Sequence, residues 1–159
     1  LGGPVAVRYP RGAGSGVPLP DDPSQLPVGK GAVVREGEDC AVLAFGDRVA
    51  PAVEAAEALQ SEGISVRVVD MRWAKPLDED AIAAAARTRL VVTVENGILN
   101  GGAGEGVLEV LTRQGADVPA VTLAIPDRTV PHGKPADLLA DLGLDAKGIA
   151  AAIRQHLAG

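Results

Sequence analysis

From residue 31 onward, short runs of β-branched and aliphatic residues alternate with longer segments whose apolar residues recur at helical spacing. The runs predict strands at residues 32–35, 41–45, 66–70, 90–95 and 120–125. The intervening segments are long enough for the crossover helices that parallel strands need. Because 47% of the residues are hydrophobic and only 2% aromatic, the core must be aliphatic. The pattern predicts an α/β fold, a three-layer α/β/α sandwich around a mainly parallel five-stranded sheet.

Glycine and aspartate mark where the predicted helices end and begin. Gly63 and Gly115 each follow a helical pattern and are suited to the left-handed conformation that closes a helix. Asp78 and Asp145 precede helical patterns and are suited to accept the free backbone N–H groups there. Two short helices are predicted to complete the chain after the last strand.

The composition changes sharply before the first predicted strand of the alternating region. Residues 12–31 are rich in proline and glycine, which prevent a regular element from persisting. We therefore expect residues 1–12 to be the end of a preceding domain, residues 13–31 to be a linker, and residues 32–159 to be a C-terminal α/β domain. The chain also opens with Leu1 and reaches a strand-like run almost at once, so we expect a fragment of a longer protein.

Charge and cysteine content limit the classes of partner. The net charge of −6 argues against nucleic acid as a partner, because binding the phosphate backbone requires a basic face. Cys40 is the single cysteine and lies in an apolar run, so it is interpreted as a buried free thiol in a reducing, cytoplasmic compartment. No apolar run approaches the roughly 20 residues of a membrane span, so no membrane partner is expected.

Two arginines follow an apolar run near the start of the chain. Residues 5–7 favour a strand, and Pro10 and Gly12 favour a turn that holds Arg8 and Arg11 at the strand end. A guanidinium group matches phosphate oxygens in geometry and stays charged at physiological pH. The pattern is therefore consistent with a phosphate site, and equally with arginines that are solvated or paired with a carboxylate.

The glycine-rich residues 101–106 follow a predicted strand and open a helix, which is the setting of a dinucleotide-binding loop. We reject that interpretation, because Glu105 would place a negative charge where a pyrophosphate should bind. The motif also lies in the third unit of the alternation instead of the first. Small residues here are better explained by close packing of the helix.

Other polar residues at strand ends show no complete active site. Asp70 with Arg72, and Glu95 with Asn96, are interpreted as residues that organise their own turns. His132 and His156 have no second ligand at metal-binding spacing, and no nucleophile motif is present. We therefore assign no catalytic, cofactor-binding or metal-binding residue within this chain.

Several motifs, taken in order, resemble the C-terminal part of the 1-deoxy-D-xylulose-5-phosphate synthases, thiamine diphosphate enzymes of the transketolase group. The Asp-x-Arg-x-x-x-Pro-x-Asp pattern of residues 70–78 is also similar to transketolase and to the β subunits of 2-oxo-acid dehydrogenases. The Arg-Tyr-Pro-Arg-Gly and Gly-Gly-Ala-Gly motifs favour the synthase. The motifs are residues 6–12, 26–31, 69–78, 101–104, 125–127 and 142–145.

The resemblance implies a homodimeric enzyme that condenses pyruvate with glyceraldehyde 3-phosphate to 1-deoxy-D-xylulose 5-phosphate and CO2, for isoprenoid, thiamine and pyridoxal synthesis. It implies that Arg11, at the end of a pyrimidine-binding domain, binds the substrate phosphate, and it gives Arg8 no role. Thiamine diphosphate and magnesium would be bound by domains absent from this chain. The chain would then supply Arg11 and structural support for the dimer, and would be inactive alone.

Two positions depart from the pattern of the synthases. Glu105 stands where serine is common, and Asn96 where a second acid is frequent. No function is therefore carried onto that loop. The alternative interpretation is the C-terminal domain of a 2-oxo-acid dehydrogenase β subunit, or of a transketolase, acting as an assembly module.

Overall fold

Five strands form a single sheet in the computed structural model, which describes Gly3, Pro4, Asp21 and residues 25–158. The strands are β1 (Ala32–Arg35), β2 (Cys40–Ala44), β3 (Val66–Asp70), β4 (Val91–Ile98) and β5 (Ala120–Ile125). The helices are α1 (Val49–Gln60), α2 (Glu79–Ala85), α3 (Ala103–Arg113), α4 (Pro135–Asp141) and α5 (Ala146–Leu157), and a 3-10 turn spans Gly46–Arg48. The strand order is β1-β3-β2-β4-β5.

The sheet is parallel except at one edge. Strands β3, β2, β4 and β5 run in the same direction, and β1 alone pairs antiparallel, with β3. In the centre of the sheet, Val42 lies opposite Val68 on one side and Val92 on the other. The mainly parallel five-stranded α/β architecture expected from the sequence is confirmed.

The side chains of β2 show how the sheet builds two cores. Cys40, Val42 and Ala44 face a cluster that includes residues of α1 and α5. Ala41 and Leu43 face the opposite cluster, which includes residues of α2 and α3. Because successive side chains of a strand point to opposite faces, a wholly apolar β2 is what a strand covered on both sides requires.

The predicted helix caps are present. Asp78 accepts a hydrogen bond from the backbone N–H of Ala81, and Asp145 accepts one from that of Gly148. Gly63 and Gly115 follow α1 and α3 with positive φ values of 79° and 67°. These four residues therefore set the helix boundaries in the way the sequence indicates.

Strand β4 is longer than the sequence predicts. The expected strand ended at residue 95, whereas β4 continues to Ile98, which pairs with Ile125 after an irregularity in the register. The N–H of Leu99 also donates to the carbonyl of Ile125 at 2.8 Å. The polar residues Glu95 and Asn96 interrupt the apolar run, so the sequence pattern hid the pairing that continues beyond them.

The segment that carries Arg8 and Arg11, and most of the expected linker, lie outside the described residues. The proposed boundaries at residues 12 and 31 therefore stay predictions. Within the described part of the chain, no helix combines the length and apolar character needed to cross a membrane.

Cys40 should be unreactive in the folded protein. Its thiol is fully buried, and burial, with a smaller contribution from the negative charge of Asp39, raises its pKa to about 12. We expect iodoacetamide at about pH 8, near the pKa of a free thiol, to label the unfolded chain but not the native one. Mass spectrometry with and without denaturant measures this, and rapid labelling of the native protein would contradict the buried position.

Candidate functional site

The carboxyl ends of β2 and β4 form the candidate site. From β2 the chain crosses to β3 on one side, and from β4 it crosses to β5 on the other. The connections therefore leave in opposite directions from two neighbouring strands. In open α/β sheets, ligands bind in the crevice that such a reversal creates.

Asp47, Arg48 and Asn96 lie at the carboxyl ends of β2 and β4 and form one hydrogen-bonded group. The Asn96 amide donates from Nδ2 to Asp47 Oδ2 at 3.2 Å. Arg48 donates to the same carboxylate from Nε at 3.2 Å and from Nη2 at 3.0 Å, and its Nη1 donates to the Leu144 carbonyl at 2.8 Å. The Arg48 side chain is only 8% exposed. Its guanidinium is therefore engaged by protein groups, and it ties the 3-10 turn to the segment before α5.

Glu95 closes the amino end of α3, where a phosphate would otherwise be expected to bind. Its Oε1 accepts from the N–H of Gly104 at 2.7 Å and its Oε2 from the N–H of Ala103 at 3.1 Å. Glu105 accepts from the N–H of Gly101 at 2.8 Å. Glu95 therefore binds the first two N–H groups of the helix, and both carboxylates lie at the positive end of the helix dipole. This arrangement agrees with the rejection of a dinucleotide-binding loop.

The role of Glu95 was missed in the sequence, although a signal was present. The residue before α3 is Gly102, which has no side-chain oxygen to accept a hydrogen bond. A helix that begins without serine, threonine, aspartate or asparagine needs another acceptor for its first N–H groups. The nearest preceding acid at a strand end, Glu95, was the available candidate.

Gly104 allows α3 to lie directly on the sheet. A Cβ atom at this position would stand 2.5 Å from Thr122 Cγ2 and 2.6 Å from Thr93 Oγ1. Thr93 is fully buried, and the two threonines are opposite each other on β4 and β5. The packing interpretation of the glycine-rich segment is thus supported by contact distances.

Alanine substitutions at Gly104 and Gly106 should have different effects on stability. Gly104→Ala should lower the free energy of unfolding by about 1–3 kcal/mol, because the added methyl group overpacks against two stiff β-branched side chains, of which Thr93 is fully buried. Gly106→Ala is the matched control, since its Cβ would meet only the flexible end of Leu77 at 3.1 Å. Alanine has the higher helix propensity, so this variant should be neutral or slightly stabilised. Equal losses in urea unfolding would contradict the close contact at Gly104.

Asp70 and Arg72 organise the turn after β3, as the sequence suggests. The N–H of Arg72 donates to Asp70 Oδ1 at 3.1 Å, and Arg72 Nε lies 3.5 Å from Asp70 Oδ2. Arg72 has a φ of 57°, in the left-handed region that residues other than glycine seldom adopt. The carboxylate of Asp70 is thus used to hold this turn.

Neither histidine belongs to the hydrogen-bonded group formed by Asp47, Arg48 and Asn96. His132 is exposed in the loop after β5. His156 is exposed on α5, with Nδ1 2.8 Å from the Ala152 carbonyl oxygen. Among the described residues, no group of three or more histidine, cysteine, aspartate or glutamate side chains is arranged to hold a metal ion.

Comparison with known proteins identifies the family. The sequence model named "Transketolase, C-terminal domain" matches residues 29–149, which is most of the chain. The chain belongs to this family. The matched residues include all five strands and α1 to α4, together with the first part of α5, which continues beyond residue 149.

The sequence of this transketolase C-terminal domain is also close to those of named enzymes. It is 51% identical over 160 aligned residues to 1-deoxy-D-xylulose-5-phosphate synthase 1 of Geobacter metallireducens, covering 99% of this chain and 25% of the relative. It is 50% identical over 157 residues to the synthase of Chromobacterium violaceum, covering 98% of this chain and 25% of that protein. The chain therefore spans about a quarter of the length of these relatives.

Solved structures share the fold. A split-gene transketolase, described as an inactive beta4 tetramer, is 38% identical with a TM-score of 0.79, covering 85% of this chain and 44% of that one. A mutant transketolase from Pichia stipitis is 18% identical with a TM-score of 0.59, covering 80% of this chain and 18% of that one. The second similarity concerns the fold alone.

Proposed function

We propose that this chain is the C-terminal part of a thiamine diphosphate-dependent transferase that condenses pyruvate with glyceraldehyde 3-phosphate to 1-deoxy-D-xylulose 5-phosphate and CO2. The observation that carries the proposal is about 50% identity to such synthases along nearly the whole chain. The product would serve isoprenoid, thiamine and pyridoxal synthesis in the cytoplasm. The missing three-quarters of the relatives' length would provide the sites for thiamine diphosphate and magnesium.

Within that enzyme, the role proposed for the described domain is structural. At the carboxyl ends of β2 and β4, the Arg48 guanidinium is bound by Asp47 and by the Leu144 carbonyl, and Glu95 binds the N–H groups of Ala103 and Gly104 at the start of α3. Arg48 and these two N–H groups are therefore already engaged by protein groups and would have to be released to bind a diphosphate. The fold would support the dimer in which the enzyme works, while Arg11 would contribute the contact with the substrate phosphate.

A second candidate function is an assembly module of a transketolase or of a 2-oxo-acid dehydrogenase β subunit. The observation in its favour is the similarity in fold and sequence to a split-gene transketolase chain that is itself described as an inactive beta4 tetramer. The two candidates differ in what precedes Leu1. The synthase requires a cofactor-binding domain earlier on the same polypeptide, whereas the alternative requires a short β-subunit start, so the upstream sequence distinguishes them.

The chain alone should neither bind thiamine diphosphate nor form the product. The proposed cofactor ligands belong to other domains, so calorimetric titration with thiamine diphosphate and magnesium should give no binding heat. The full-length enzyme titrated under the same conditions is the positive control. Tight, saturable binding by residues 1–159 would contradict the proposed division of labour.

A further inference from the structure

The segment before β1 is attached to the start of α2 by a group of contacts that we call the linker clasp: Lys30, Gly31, Asp78 and Asp80. Lys30 Nζ lies 3.3 Å from Asp78 Oδ1 and 2.6 Å from Asp80 Oδ2. The N–H of Gly31 donates to Asp78 Oδ2 at 2.9 Å. Residues nearly fifty positions apart are thus joined through one carboxylate.

Asp78 is the centre of the clasp. Its side chain is 7% exposed and also accepts from the N–H of Ala81 at 3.2 Å, at the start of α2. Burial opposes ionisation of this carboxyl group, but the backbone donors Gly31 and Ala81, together with Lys30, outweigh it and lower its pKa. Capping of α2 requires only the hydrogen bond from the N–H of Ala81. The other two are made to the linker.

The backbone of the linker end is shaped to the loop after β3. Gly29 has a φ of 69°, and a Cβ there would lie 2.8 Å from Pro76 Cγ. A Cβ on Gly31 would lie 2.9 Å from the Asp70 carbonyl oxygen. The N–H of Lys30 donates to the Pro27 carbonyl at 3.3 Å, which closes a turn just before the clasp. Close backbone packing at Gly29 and Gly31 and the ion pairs of Lys30 therefore hold the same short segment in place.

The clasp lies at the carboxyl ends of the parallel strands, as the candidate site does. Because β1 is antiparallel to β3 and begins with Ala32 opposite Asp70, the chain reaches β1 from the carboxyl edge of the parallel strands. We propose that the linker clasp is a positioning device that fixes where the preceding polypeptide, with Arg11, leaves this edge. Its effect on the substrate phosphate rests on the function proposed above. Lys30 and Asp78 are positioning residues and do not touch the substrate.

The test uses the full-length enzyme with Lys30→Met and, separately, Asp78→Asn. Hydrogen–deuterium exchange in peptides covering residues 25–35 should become about two- to fivefold faster in Lys30→Met, the range expected for loss of an exposed ion pair. The KM for glyceraldehyde 3-phosphate should rise by a similar factor, while the KM for pyruvate and kcat stay unchanged. Lys30→Arg should restore both values.

Asp78→Asn removes the negative charge that the contacts with Lys30 and Gly31 share. Hydrogen–deuterium exchange in residues 25–35 should therefore be faster than in Lys30→Met, about tenfold or more above the rate of the parent enzyme. Arg113→Met is the matched control: Arg113, at the end of α3, forms an exposed ion pair with Glu79 of α2, the helix that Asp78 caps, and among the described residues it has no hydrogen bond or ion pair with the clasp residues. It should alter neither exchange in residues 25–35 nor the KM values.

Unchanged exchange in both clasp variants overturns the proposal. Faster exchange with an unchanged KM, in an enzyme whose Arg11→Ala variant does raise that KM, overturns the positioning role but leaves the proposed function intact. If Arg11→Ala also leaves the KM unchanged, the proposed role of Arg11 in binding the substrate phosphate fails, and the faster exchange still supports attachment of the linker by the clasp.

Discussion

Arg11→Ala in the full-length enzyme should raise the KM for glyceraldehyde 3-phosphate about ten- to over a hundred-fold and leave that for pyruvate nearly unchanged. A hydrogen bond to a charged group contributes about 1.5–3 kcal/mol, and each 1.36 kcal/mol corresponds to roughly a factor of ten. Pyruvate carries no phosphate, so it does not use this contact. Steady-state kinetics with each substrate varied in turn measures the two effects separately.

Two variants act as controls for Arg11. Arg11→Lys keeps the positive charge but loses the planar fork of donors, so it should fall between the parent and the alanine variant. Arg8→Ala removes the neighbouring arginine, to which the resemblance assigns no role, and should have a small effect on both KM values. Equal effects of Arg11→Ala on both substrates would refute the assignment to the phosphate.

Glu95→Ala should lower the free energy of unfolding of the chain by about 2–4 kcal/mol. It removes the acceptor of two backbone N–H groups at the start of α3, and bonds to a charged acceptor are stronger than neutral ones. The side chain is nearly buried, and the N–H of Gly104 is buried with it, so water replaces the lost bonds poorly. Urea unfolding followed by circular dichroism gives the difference.

Glu95→Gln separates this capping role from a chemical one. Glutamine keeps one carbonyl acceptor, so the loss of stability should be about half that of Glu95→Ala. The full-length enzyme with this variant should keep a kcat close to that of the parent. A change below about 0.5 kcal/mol in Glu95→Ala would contradict the capping role, since surface substitutions give effects of that size.

The fold was accessible from the sequence because its main determinants are local. The apolar run of β2 and the helix caps at Asp78 and Asp145 each depend on residues only a few positions apart. The extension of β4 to Ile98 was missed because it depends on pairing with Ile125 of another strand. Local sequence patterns therefore predict the strands and helices, whereas the carboxyl end of β4 depends on pairing with β5.

The polar contacts at the carboxyl edge could not be derived in the same way. Arg48 bonds to the Leu144 carbonyl, 96 residues away, and Lys30 reaches Asp78 at a separation of 48. No periodicity or spacing rule connects such pairs before the sheet order is known. The assignment of Arg11 came from resemblance to a family and stays a prediction, because this residue lies outside the described structure.

We propose that the complete protein makes 1-deoxy-D-xylulose 5-phosphate. The most direct test supplies the full-length enzyme, thiamine diphosphate and magnesium with glyceraldehyde 3-phosphate and with pyruvate that carries a heavy-carbon label in its keto group. Carbon NMR should show the label in the ketone of a five-carbon sugar phosphate, with CO2 released in equal amount. Consumption of pyruvate with release of CO2 but without a labelled five-carbon sugar phosphate would contradict this proposal.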